Sequence, residues 1–136
     1  MNDRIMRPTE ISELQEEVRK HARFSPNGGG TKSALQISRD EVTILDLTGI
    51  SGVMDYIPSE FTFTALAGTS LEELNQILSD HGQYLPFDPP FVEQGATIGG
   101  AVASGLSGPG RYRYGGIRDF IIGIQYVLSL IHISEP

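Results

Sequence analysis

Glycine decides most of what this chain can be. Sixteen of its 136 residues are glycine, about 12% against a usual share near 7%, and they are bunched. The first bunch is Asn27-Gly28-Gly29-Gly30-Thr31-Lys32. Three consecutive glycines let the backbone take positive φ and turn several N–H groups towards one point. Such a concavity suits anionic oxygens, and the Thr31 hydroxyl and Lys32 ammonium add to it. The plain alternative is a flexible loop. The second bunch runs from Gly95-Ala96-Thr97-Ile98-Gly99-Gly100 through Ser104 to Gly105. Thr97 can cap a short helix of very small residues. Glycine inside a helix costs up to about 1 kcal/mol relative to alanine, so Gly99 and Gly100 need a reason. One reason is close helix packing; the other is close approach of a ligand to helix N-terminal amides. Two such segments about seventy residues apart favour a large ligand lying between them, which predicts that they form two walls of one cleft.

The third piece is Ser107-Gly108-Pro109-Gly110-Arg111-Tyr112-Arg113-Tyr114-Gly115-Gly116-Ile117-Arg118-Asp119. Its arginines and tyrosines suit either phosphate and ring contacts or a solvated loop with one Arg–Asp pair. No P-loop spacing and no Gly-x-Gly-x-x-Gly occurs, so the Rossmann dinucleotide fingerprint is absent.

Composition removes other classes. With no cysteine, disulfides, thiolate metal sites and cysteine nucleophiles are excluded. Ten Lys plus Arg stand against seventeen Asp plus Glu, a net charge of -7, which argues against a nucleic-acid binder. The glutamates at 13, 16, 17, 72 and 73 fall on polar helix faces, where carboxylates solvate rather than catalyse. His21 and His81 stand at helix C-termini with no ligand cluster, so no metal site is expected. The most apolar stretch, residues 120–133, is too short to span a bilayer, and no secretory h-region opens the chain. A cytoplasmic protein is expected, with peripheral attachment at the inner face of a membrane through partners left open.

Along the chain, Ile11, Leu14, Val18 and Ala22 share a helical face over residues 9–22, with Thr9 as the expected N-cap. A turn should follow at Phe24-Ser25-Pro26. Strands are expected over 42–47 and 61–67. Ser70 and Glu73 predict a helix N-terminus, with Gly82 as its stop. A helix should cover 98–104, a loop 105–116 and a strand 118–127. The mixture predicts an α+β domain rather than a regular βαβ repeat.

In order and spacing, four elements resemble the FAD-binding domain of the vanillyl-alcohol oxidase / p-cresol methylhydroxylase (PCMH-type) family. They are residues 27–32, Gly68-Thr69, Ala96-Thr97-Ile98-Gly99-Gly100, and Tyr114-Gly115-Gly116-Ile117-Arg118-Asp119. The stretch Leu85-Pro86-Phe87-Asp88-Pro89-Pro90 and Gly105-Leu106-Ser107-Gly108-Pro109 is similar to the FAD-binding subunits of glycolate oxidases. The resemblance implies a PCMH-type fold, its first subdomain plus the start of the second, incomplete at the C-terminus. It implies FAD contacts at Asn27, Gly28, Gly29, Gly30, Thr31, Lys32, Gly68, Thr69, Pro89, Gly95, Ala96, Thr97, Gly99, Gly100, Ser104, Tyr114, Gly115 and Asp119. Family members that attach flavin covalently through the first loop carry His after the glycines, whereas Thr31 stands here, so non-covalent FAD is implied.

The activity implied is oxidation of a 2-hydroxy acid, within a glycolate oxidase-like complex that includes an iron–sulfur subunit. Catalytic residues are not assigned. Residues 1–127 read as a partial FAD-binding domain and 128–136 as a non-native tail. A module that binds some other phosphate ligand, a structural fragment, and a UDP-N-acetylenolpyruvoylglucosamine reductase-like domain remain open alternatives.

Overall fold

The computed structural model describes residues 4–35 and 42–128. Its first unit is a three-stranded parallel sheet. Strand β1 (Ile5–Met6) leads into helix α1 (Ile11–Lys20), then β2 (Phe24–Asn27) and β3 (Thr43–Asp46). β3 lies in the middle, with Ile5 opposite Ile44 on one side and Phe24 opposite Thr43 on the other. β2 was expected as a turn because of its Ser-Pro-Asn composition. It is nevertheless a strand, and the reason is its edge position, where the missing N–H of Pro26 breaks no ladder bond. Thr9 is not the cap of α1 either. Glu10 holds the N-cap position without a side-chain bond, while the Glu13 carboxylate reaches back to accept from Thr9 N at 2.9 Å and Thr9 Oγ1 at 3.3 Å.

The second unit is a hairpin and the helices behind it. β4 (Val53–Ile57) pairs antiparallel with β5 (Thr62–Ala65), with a register shift between Val53 and Asp55. That bulge breaks the period-two alternation by which a half-buried strand is recognised, so β4 gives no clear pattern in sequence. α2 (Leu71–Ser79) starts at Ser70, whose hydroxyl accepts from Glu73 N at 3.1 Å, and Gly82 closes its end at φ 67°. α3 (Ile98–Ser104) starts at Thr97, whose hydroxyl accepts from Gly100 N. Leu71, Leu74 and Leu78 of α2 join Leu85, Phe87, Ala96, Ala101 and Ile117 in one buried cluster.

Two expectations near the C-terminal end fail. The loop over 105–116 contains a one-turn helix, α4 (Arg111–Tyr114). The strand over 118–127 is replaced by a 3-10 turn, Ile117–Phe120, followed by irregular chain. Asp119 fixes that turn by accepting from Gly116 N at 2.9 Å. A β-branched sequence prefers the pleated surface only where a neighbouring strand offers one, and among the described residues none pairs with 121–128. Ile122, Ile124, Tyr126 and Leu128 are correspondingly exposed. The tail expected over 128–136, His132 included, lies outside the described residues except for Leu128.

Candidate functional site

The carboxyl end of β2 delivers the chain into the glycine loop, and ligands of parallel sheets gather at that end of the strands. Loop residues Asn27, Gly28, Gly29, Gly30, Thr31 and Lys32 form one wall of a cavity of about 330 Å³, and Thr97, Gly100, Ala103 and Ser104 form the other. The two glycine bunches therefore do face each other across one cleft. Their approach is very close. A Cβ on Gly28 would stand 2.5 Å from Thr97 Oγ1, and one on Gly29 would collide with the Gly95 carbonyl. Glycine at 28 and 29 is thus a packing requirement; the positive φ expected of the triplet is found at Gly30 alone, at 68°.

The two walls differ in what they offer a ligand. In α3 the first-turn amides are already used: Ile98 N donates to Thr69 O, Gly99 N to Ala67 O and Gly100 N to Thr97 Oγ1. The expectation that these amides point at a ligand is therefore corrected: they hold α3 in place. In the loop the situation is reversed. Among the described residues, the N–H groups of Gly28, Gly29, Gly30, Thr31 and Lys32 have no acceptor. Gly28, Thr31 and Lys32 are half-buried and Gly29 and Gly30 exposed, so these five consecutive amides stay available to an acceptor from outside the chain, water or ligand. Lys32 adds the charge. Its Nζ is 3.4 Å from Thr31 Oγ1, and among the described residues it has no carboxylate partner. Burial holds its ammonium below the usual lysine pKa, because desolvation disfavours the charged form; an anion in the cleft reverses that penalty.

The other sequence-predicted residues lie elsewhere. Gly99 sits next to Gly100 but points about 100° round the helix, where its missing Cβ lets Ala67 approach. Close helix packing, not ligand approach, is its reason. Thr69 is fully buried, with its hydroxyl on Leu66 O at 2.7 Å, Gly52 O at 3.1 Å and Gly52 N at 2.9 Å. Gly68 is pressed against the Leu47 and Ile50 carbonyls. Ala96 is fully buried and its carbonyl accepts from Leu71 N. Gly95 stands behind Gly29, and Pro89 is buried in the proline-rich turn. Tyr114, Gly115 and Asp119 lie outside the cleft lining, with the Tyr114 ring 6.4 Å from that of Tyr84.

Pro26, Leu35 and Ala103 also line the cleft, beyond the residues to which the sequence points. For Ala103 a signal existed: positions 97, 100, 103 and 104 repeat at helical spacing and share one face. For Leu35 none did.

The FAD binding domain family matches residues 3–130. The chain is 41% identical over 83 residues to glycolate oxidase subunit GlcE of Escherichia coli, covering 61% of this chain and 24% of that protein. It is 36% identical over 89 residues to D-lactate dehydrogenase [cytochrome] 1, mitochondrial, of Saccharomyces cerevisiae, covering 65% and 15%. It is 29% identical over 126 residues to D-2-hydroxyglutarate dehydrogenase of Haemophilus influenzae, covering 91% and 12%. Among solved structures, an alkyldihydroxyacetonephosphate synthase superimposes at a TM-score of 0.70 with 28% identity, over 85% of this chain and 23% of that one. The chain thus spans a quarter or less of these relatives. A match through nearly all of its residues, on a fold with an open-amide cleft between the two glycine bunches, places this chain in the FAD-binding domain family, with FAD as its cofactor.

Proposed function

We propose that the cleft between loop 27–32 and α3 holds the diphosphate of FAD, and that the chain is the flavin-holding part of an oxidoreductase acting on 2-hydroxy acids. The observation that carries the first half is the run of five open amides beside the Lys32 ammonium. Charge-assisted hydrogen bonds to an anion are the strongest use of such a set. A cavity of about 330 Å³ is at the small end for ligand sites, which suits part of a dinucleotide rather than all of it. Bound FAD supplies the electron acceptor; this chain's residues bind it, orient it and shield its diphosphate.

The names of three relatives support the second half, since glycolate, D-lactate and D-2-hydroxyglutarate are all 2-hydroxy acids. The GlcE relative is named as a subunit, so the partners of this chain would be further subunits of a glycolate oxidase-like complex, an iron–sulfur subunit among them. Among the described residues no helix is long and apolar enough to cross a membrane; peripheral attachment at the inner face of a membrane through those partners is part of the same proposal.

Titration with FAD, followed by flavin fluorescence, tests the cleft. Ala103 lines it from an exposed helical position. Ala103→Glu should weaken FAD at least about tenfold by placing a carboxylate against the diphosphate, while the melting temperature stays unchanged. Equal affinity in both proteins would remove the diphosphate from this cleft.

Attachment is proposed to be non-covalent. Among the described residues no histidine lines the cleft, and the rings of His21 and His81 are engaged with Glu17 and Thr43 and with Tyr56 and Ile77 O. Acid or heat should therefore release all flavin into the supernatant. Yellow fluorescence that migrates with the denatured polypeptide on a gel is the contrary result.

A further inference from the structure

Phe91 is an odd residue for its place. Its backbone φ is 64°, a left-handed conformation that a bulky side chain takes only when its surroundings hold it there. The holding contacts are clear: the Phe91 carbonyl accepts from Gln94 N at 3.2 Å and from Ala96 N at 3.1 Å, and Ala96 is fully buried. The strained backbone does not serve to bury the residue, which stays 44% exposed. What the ring meets is Lys32, whose Nζ stands 5.9 Å from its centroid, within reach of a cation–π contact.

The ammonium thus sits between three groups: the Phe91 ring, the Thr31 hydroxyl, and Gly100 on the facing wall, where a Cβ would come within 3.8 Å of Nζ. Thr31 and Gly100 belong to the cleft's own walls, and Phe91 to the turn that leads into Gly95 and Ala96. A free lysine side chain samples many rotamers, and ordering it on binding costs affinity. A ring that already holds the cation removes much of that cost.

We propose that Phe91 is a positioning residue for Lys32, docking its ammonium at the cleft so that the charge is in place before an anion arrives. The inference rests on the diphosphate site proposed above, but the docking itself can be seen without ligand. Burial's downward pull on the Lys32 pKa accords with a cation held partly out of water.

The experiment has two arms, both on the full chain. In the first, NMR of ligand-free protein reads the ring-current shift of the Lys32 ε-methylene protons. The shift should be present in wild type, retained in Phe91→Tyr and lost in Phe91→Leu. In the second, FAD is titrated into wild type, Phe91→Leu, Phe91→Tyr, Lys32→Met and the double variant Phe91→Leu/Lys32→Met. Phe91→Leu should weaken FAD by about 3- to 10-fold, and Phe91→Tyr should restore the affinity. In the Lys32→Met background, Phe91→Leu should have no further effect, a coupling that a merely structural residue would not show.

A missing ring-current shift in wild type overturns the docking. An undiminished Phe91→Leu penalty in the Lys32→Met background overturns the positioning role and leaves Phe91 a structural residue. Wild type that shows the shift but does not bind FAD refutes the diphosphate site instead, and with it any service of the docked ammonium to that ligand.

Discussion

Gly29→Ala is expected to strip the chain of FAD and to lower its melting temperature by about 10 °C. The added methyl would run into the Gly95 carbonyl oxygen, with the carbonyl carbon at 2.7 Å and Ala96 N at 3.3 Å. All three are backbone atoms of a segment tied to buried Ala96, so no side chain can swing aside. The walls of the cleft must move apart. Overpacking of this kind costs up to about 3 kcal/mol, which at this chain length corresponds to about 10 °C. Loss of register between loop and α3 should reduce FAD affinity by at least about 100-fold, or 2.7 kcal/mol.

Gly30→Ala is the control within the same loop. A Cβ there meets nothing within 4 Å, and its only penalty is a φ of 68°, worth about 1 kcal/mol. Thermal melts and flavin titrations of the two proteins, side by side, check the expectation. A Gly29→Ala protein that melts and binds like wild type would show that the two walls do not touch as described.

Thr69→Val should also lose stability, with the opposite outcome for the ligand. The Thr69 side chain is fully buried and its hydroxyl is the acceptor for Gly52 N and a donor within reach of both Gly52 O and Leu66 O. Valine keeps the shape and removes the oxygen, leaving Gly52 N without an acceptor, while Gly52 O and Leu66 O keep the N–H groups of Leu66 and Thr69. One such unsatisfied group costs about 1–3 kcal/mol, so a fall of about 3–10 °C is expected. Thr69→Ser keeps the hydroxyl and gives up one methyl, about 1 kcal/mol.

FAD affinity measured well below the melting temperature should change less than about twofold in either variant. The reason is position: Thr69 ties the β5–α2 turn to Gly52, and its own carbonyl holds Ile98 N at the start of α3. It supports the cleft from behind. If Thr69→Val loses FAD at unchanged stability, the residue touches the ligand and this account of it is wrong.

What the amino-acid sequence determined is local and chemical. Ser70 and Thr97 mark helix starts because a short hydroxyl side chain satisfies the first-turn amides, and both do so here. Leu71, Leu74 and Leu78 repeat at helical spacing and are buried together. The pairing of two glycine bunches pointed to a shared cleft, because small residues are kept where backbones or ligands must come close.

Tertiary structure decided everything that depends on a neighbour. Phe24-Ser25-Pro26-Asn27 becomes a strand only because Thr43, Ile44, Leu45 and Asp46 lie beside it, while 121–128 has strand residues and, among the described residues, no such neighbour. Gly99 and Gly100 are indistinguishable in sequence, yet one packs on Ala67 and the other lines the cleft. Thr69 and Thr31 carry the same hydroxyl, spent on backbone in the first and beside an ammonium at the cleft in the second. Phe91 and Lys32 are 59 positions apart, and only the fold brings the ring to the cation. Hydrogen-bond demand and helical period act over a few residues and are legible in one dimension; which groups are left open for a ligand depends on what the rest of the chain has already taken.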